Sequence, residues 1–162
     1  MRSRHESEDE RRAAVDRLLD AIEYATIATV SSAGRPWNSP VYFAREGATF
    51  YWISRAEAQH SSNIRDNGRA FLVVYDSTRE DASGAAVYVD AEARELIDDA
   101  EIAAALVSLY RRKHKPVPAA IEFRPPAVQR VYAAVARQAW TNVVHMDGQV
   151  PWDERVSILL RD

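Results

Sequence analysis

The sequence predicts a mainly β, α+β protein: short antiparallel strands in a meander or barrel, with helices at its flanks. Three observations predict it. Stretches rich in β-branched and aromatic residues recur at 24–31, 37–45, 48–53, 69–75 and 85–97. Tight turns join the first three, at 32–36 with Gly34 and at Glu46-Gly47. The helical stretches do not alternate with the strands as parallel βαβ units require.

Taken in order, residues 1–8 are charged and read as a frayed tail, and 9–162 as a single domain. Val15, Leu18, Leu19 and Ile22 recur at the i, i+3, i+4, i+7 spacing of one helical face, so the first helix should lie on the core. Pro40 within the second strand marks an edge or a bulge. A polar loop spans 76–83. Asp98 or Asp99 caps a second amphipathic helix whose apolar face is Ile102, Leu106 and Leu109. It ends in the basic run Arg111-Arg112-Lys113-His114-Lys115 before Pro116. That run complements a helix dipole or forms a patch for ligand phosphate or nucleic acid. Residues 116–126 are a proline-punctuated connection. In 128–140 the alanines favour helix while Val131, Ala133 and Val135 alternate as on a strand; a strand is assigned because strands one to three would otherwise leave an open edge. Residues 155–160 form a short last strand or an extended arm.

Composition removes several classes of chemistry. The 162 residues contain no cysteine, which excludes disulfides, iron–sulfur clusters, thiolate zinc sites and cysteine nucleophiles. His5, His60, His114 and His145 lack any paired metal-ligand spacing, so no metal is expected. No G-x-S-x-G elbow, G-x-G-x-x-G fingerprint or G-x-x-x-x-G-K-[ST] loop occurs. A net charge of −3 argues against nucleic acid or an anionic membrane as partner. No apolar run approaches the roughly 20 residues of a membrane span, and the charged first residues lack a signal-peptide segment, so a cytoplasmic protein is expected.

The stretch 50–67 carries the sharpest chemical signal. Phe50, Tyr51, Trp52 and Ile53 read as a strand, Ser54, Arg55 and Ala56 break it, and a helix follows through His60, Asn63 and Ile64. Such a corner gathers hydroxyls, side-chain amides and free helix N–H groups, which suit a bound anion. Ser54, Gln59, His60 and Asn63 are the donors, with Arg55 and Arg65 close by. The alternative is a helix start that these residues merely cap. A second cluster comprises Trp37, Tyr42, Phe43, Tyr51, Trp52 and Trp140, which either pack the core or hold a planar ring system.

The order of these segments resembles the pyridoxamine 5′-phosphate oxidase-like family of flavin-binding split barrels. The resemblance runs from Tyr24 to Leu160. It is carried by Tyr24-Ala25-Thr26-Ile27-Ala28-Thr29-Val30 with Gly34-Arg35-Pro36, by Ser39-Pro40-Val41-Tyr42-Phe43, and by Phe50-Tyr51-Trp52-Ile53-Ser54. His60, Asn63-Ile64, Asn67, Ala139-Trp140-Thr141-Asn142 and Arg155-Val156-Ser157-Ile158-Leu159-Leu160 complete it. The resemblance implies a six-stranded antiparallel split barrel that forms a homodimer, with two FMN molecules at the interface. It implies that Asn38, Ser39, Pro40, Val41, Tyr42 and Phe43 face the isoalloxazine. Ile53, Ser54, Gln59, His60 and Asn63 would hold the phosphate, and Trp140 would reach the ring from the partner subunit. Such a dimer buries about 2,000 Å² or more.

Two departures shape the expected activity. Gln59-His60 stands where the pyridoxamine phosphate oxidases carry Arg-Lys, so phosphate binding should lean on Arg35, Arg55, backbone groups or a protonated His60, and weaken as His60 loses its proton. Their C-terminal R-x-H motif is replaced by His145-Met146-Asp147-Gly148. The expectation is an FMN-dependent oxidoreductase acting on a small molecule other than pyridoxamine phosphate, with no obligatory acid or base identified. Two alternatives stand beside it. One is a deazaflavin-dependent reductase using Arg111 to Lys115 along its groove; the other is a flavin carrier or sensor without turnover.

Overall fold

The computed structural model describes residues 7–78 and 86–160. Helix α1 (Glu8–Ala21) opens with a reciprocal cap: Glu10 N donates to Ser7 Oγ and Ser7 N donates to Glu10 Oε2. Ser7 and Glu8 therefore start the helix and are not part of a frayed tail; residues 1–6 lie outside the described residues. The chain continues through β1 (Tyr24–Val30), β2 (Pro36–Glu46), β3 (Thr49–Arg55), α2 (Gln59–Asn67), β4 (Arg69–Tyr75) and β5 (Ala86–Glu95). Then follow α3 (Asp99–Arg112), a 3-10 turn (Ala120–Phe123), β6 (Gln129–Asp147) and β7 (Val150–Ile158). Most of the 76–83 loop lies outside the described residues.

All strand pairings are antiparallel, in the order β3-β2-β1-β4-β5-β6-β7, and β3 also pairs with β6. That last pairing closes the first six strands into the expected six-stranded split barrel, with β7 hanging on the outer edge of β6. Assigning 128–140 to a strand is correct, but the strand runs on to Asp147 and β7 starts at Val150. The extra hairpin escapes a periodicity reading because its side chains are mostly exposed and show no inside–outside alternation. Its turn signal, Asp147-Gly148, is present in the sequence. Gly148 turns there with φ 61°.

Strand alternation divides the core in two. Ile27, Phe43, Phe50, Trp52, Leu72, Val74, Val87 and Tyr132 fill the barrel, with Val15, Leu18 and Leu19 of α1 packed against them. On the outside, Ile102, Ala105, Leu106 and Leu109 of α3 cover Ala44, Val131 and Ala133, with Tyr42, Tyr51 and Ile53 at the margin. The capping carboxylate is that of Asp98, which accepts from Ala100 N and Glu101 N.

The basic run resolves largely into structural work. Helix α1 has no cation in its last turn. Arg112 Nη2 supplies one from α3, donating to the carbonyls of Leu19, Asp20 and Ile22 while its guanidinium lies 4.7 Å from the Phe43 ring centre. Lys113 Nζ lies 5.0 Å from the ring centres of both Tyr42 and Tyr110. Burial pushes its ammonium below the usual lysine range.

Helix α2 seals the barrel end opposite α1. Its C-cap, Gly68, takes φ 69° and donates its N–H to Ile64 O, while Gly68 O accepts from Ala93 N. Gly68→Ala should cost about 1–2 kcal/mol through this left-handed conformation, measurable as a lower denaturant midpoint. A Cβ there stands 3.4 Å from Ala93 O, so strain of the backbone and not a clash sets the cost.

Candidate functional site

The barrel is split where β2 and β3 diverge. The two strands pair only over Phe43↔Trp52 to Glu46↔Thr49. Before Phe43, β2 pairs with β1 alone; beyond Trp52, β3 pairs with β6 alone. The edge of β2 over residues 36–42 that faces away from β1 is therefore unmatched by β3. Backbone donors and acceptors on such an edge are open to a ligand.

His60 spans this opening. Its Nε2 lies 2.8 Å from Ser54 Oγ on β3, and its Nδ1 lies 3.2 Å from Ser39 Oγ on β2. Trp37 Nε1 donates to Ser39 Oγ at 3.0 Å. His60 is 8% exposed, and burial lowers its pKa below the ordinary 6.5. Both ring nitrogens contact hydroxyls and neither contacts a carboxylate, so burial and partners alike favour the neutral ring. The expectation of a protonated His60 gripping an anion meets a ring whose burial disfavours the charge, and between Ser39 and Ser54 it acts as a hydrogen-bonding bridge.

The depressed pKa has a stability consequence. As pH falls through 6.5 the unfolded chain binds a proton that folded His60 refuses, so stability drops until the folded ring protonates as well. Denaturation of the protein and of His60→Gln at pH 7.5 and 5.5 should show a steeper acid loss in the native sequence.

Gln59 and Asn63 form a second line of contacts. Gln59 Nε2 donates to Asn63 Oδ1 at 2.8 Å, and fully buried Asn63 donates from Nδ2 to Thr29 Oγ1 of β1 at 2.9 Å. Asn67 Nδ2 donates to Val30 O. These bonds pin α2 to the end of β1. The N-cap residue of the helix, Ala58, makes no side-chain cap, so the first N–H groups of α2 are left for solvent or a ligand.

A cavity of about 260 Å³ opens beside this helix start, lined by Ser31, Arg35, Pro36, Trp37, Gln59 and Asn63. Arg35 is the cation on its wall. Arg55 is exposed and lies 3.8 Å from Glu57, while Arg65 donates to Ala56 O at 2.8 Å. A larger cavity of about 700 Å³ runs past the end of β1 on the other side, bordered by Ala28, Val30, Asn67, Arg69, Phe71 and Arg137.

The structure thus brings Ser39, Ser54, Gln59, His60 and Asn63 together. Asn38 and Pro40 are exposed beside them on β2. Val41 and Phe43 point into the barrel core, which leaves their backbone as the part that could meet a ligand. Tyr42 and Ile53 pack at the margin of the α3 layer. Trp140 stands apart on β6, its ring stacked on Phe71 at 6.3 Å.

Two contributors were missed from sequence. Thr29 anchors Asn63, as described. Arg130 is the cross-strand neighbour of Ser54, with a side chain 9% exposed and Nε 3.1 Å from Glu95 Oε1, an ion pair rather than an aligned hydrogen bond. Glu95 also receives Tyr132 Oη at 3.4 Å and lies 3.7 Å from Arg65. Alternation along 128–140 places Arg130 and Tyr132 on one face; only the closing β3–β6 pairing brings that face to the corner.

Residues 12–141 match the family profile described as pyridoxamine 5′-phosphate oxidase. The chain belongs to that family. A conserved hypothetical protein of Mycobacterium tuberculosis is similar with TM-score 0.68 and 17% identity over 93% of this chain and 98% of that one. The heme storage protein HutZ of Vibrio cholerae gives 0.66 and 16% over 78% and 89%. An FAD-binding protein of Mesorhizobium loti gives 0.61 and 18% over 79% and 89%. At these identities the likeness shows the shared fold. None of the curated proteins matches the chain.

Proposed function

We propose that the protein is an FMN-binding oxidoreductase that works as a homodimer, with the cofactor phosphate at the start of α2 and the ring along the open edge of β2. The observation that carries this reading is the split itself. Unmatched β2 backbone, an uncapped helix start and a small cavity with Arg35 on its wall converge at one place. The donor set fits a phosphate ester: Ser54, Gln59, the first N–H groups of α2 and Arg35 all donate. The backbone of residues 38–43 would meet the polar edge of the ring, with Asn38 and Ser39 nearest.

When bound, the flavin supplies hydride or electron transfer. This chain's own residues bind and orient it, and no side chain of the site stands out as an obligatory acid or base. Trp37, half exposed beside Ser39, offers an apolar wall for a small-molecule substrate. Arg112 and Lys113 are already engaged with α1 and with Tyr42 and Tyr110, which favours FMN over a deazaflavin with a longer phosphate-bearing tail. The outer face of β1, β4, β5 and β6 carries Thr26, Ala28, Phe71, Val73, Tyr88 and Trp140 with no helix over it among the described residues, which suits a second copy of the chain. Trp140 would then serve a neighbouring site.

Sedimentation of the purified protein should give a dimer, and its visible spectrum a flavin whose released mass is that of FMN. Reduction by a nicotinamide donor with turnover of an acceptor would mark an enzyme; a stable flavin without turnover would mark a carrier. A colourless protein that takes up no FMN overturns the proposal.

A further inference from the structure

The three contacts that link Trp37, Ser39, His60 and Ser54 have a direction, set by donor and acceptor capacity. An indole N–H only donates, so in the Trp37–Ser39 contact Ser39 Oγ is the acceptor. The Ser39 hydroxyl hydrogen then needs an acceptor of its own, and the contact open to it is His60 Nδ1 at 3.2 Å. A neutral imidazole has one bare and one protonated nitrogen. If Nδ1 accepts, Nε2 carries the proton and donates to Ser54 Oγ at 2.8 Å. The hydrogen of Ser54 is left over, on a half-buried serine at the end of β3.

The opposite polarity is also possible in principle. Ser54 would donate to Nε2, and Nδ1–H would donate to Ser39. Ser39 Oγ would then accept two hydrogen bonds while its own hydrogen, on a partly exposed side chain, met no acceptor among the described residues. Only water would then take that hydrogen. The first arrangement leaves no such orphan once a hydrogen-bond acceptor occupies the corner.

We infer that Trp37, Ser39, His60 and Ser54 form a one-way hydrogen-bond chain that holds His60 as the Nε2–H tautomer and presents the Ser54 hydroxyl as a donor to the ligand. The corner is thereby preset for a group rich in acceptor oxygens, such as a phosphate ester, and set against a ligand that brings a donor. Trp37, Ser39 and His60 are positioning residues for Ser54. This deepens the proposed function and rests on its placing the phosphate beside Ser54.

The test is two-armed. Long-range 15N–1H correlation spectra of histidine-labelled protein at pH 7.5 read the tautomer directly. The native protein should show a protonated Nε2 and a bare Nδ1 for His60; the reverse assignment overturns the inference. Ser39→Ala removes the donor to Nδ1, so its His60 should shift toward the Nδ1–H tautomer, and an unchanged tautomer also overturns it. In the second arm, FMN is titrated by flavin fluorescence. Ser39→Ala should weaken binding about threefold to tenfold, through loss of the oriented Ser54 donor. If FMN binds neither protein while the native tautomer is Nε2–H, the one-way chain stands and the phosphate placement fails. If both bind FMN equally well, the claim that the chain sets Ser54 fails.

Discussion

Glu95→Ala is expected to destabilise the protein by about 3 kcal/mol, the low end for stranding a buried ionic partner. For a chain of this size that lowers the melting temperature by roughly 6–12 °C. Glu95 stands at the end of β5 and receives three groups: the Arg130 guanidinium at 3.1 Å, Arg65 at 3.7 Å and the Tyr132 hydroxyl at 3.4 Å. Arg130 has nowhere to go when the carboxylate leaves. Its side chain is 9% exposed, its partner across the strand pair is Ser54 on β3, and the next pair on the same face is the stacked Trp52 and Tyr132. Removing both charges with shapes of similar volume, as in Glu95→Leu with Arg130→Met, should recover most of the loss. Calorimetry of the single and double variants measures it. Equal melting temperatures for the native protein and Glu95→Ala would show that the pair contributes little to the closure of the barrel.

Ser54→Ala is the second large effect, and it falls on binding instead of stability. Among the described residues the hydroxyl's one hydrogen-bond partner is His60, so its removal leaves the fold's main contacts untouched. If its hydrogen reaches a phosphate oxygen, the loss of one hydrogen bond to a charged group is worth about 1.5–3 kcal/mol, or a 10- to 150-fold weaker FMN complex. His60→Ala should weaken binding as well, since it removes the group that holds Ser54 from behind. Fluorescence titration at pH 7.5 compares them. Full retention of affinity in both variants would place the phosphate elsewhere.

Much of the architecture was legible in the sequence, for identifiable reasons. The strands that line the barrel alternate cleanly, because one face fills the core and the other meets α3 or solvent. Strand β6 was recovered from an argument about an exposed edge, against the helical bias of its alanines. The β6–β7 hairpin was not recovered, because neither of its faces is buried enough to impose a period. At the corner, Ser54, Gln59, His60 and Asn63 were found from 50–67 alone, since the strand–turn–helix break is local. Their chemistry was not. The charge state of His60 depends on burial and on Ser39, 21 residues away, and the link between Ser54 and Arg130 exists only through the pairing that closes the barrel. Long-range register, not residue type, decided what each group does.

In the proposed function the opening between β2 and β3 holds FMN by its phosphate. The most direct measurement is equilibrium titration of the purified, chromophore-free protein with FMN and, in parallel, with riboflavin, which lacks the phosphate. Saturable binding of one FMN per chain, with riboflavin bound at least tenfold more weakly and Ser54→Ala removing most of that difference, is the predicted result. Equal affinity for the two flavins, or no uptake of either, would contradict it.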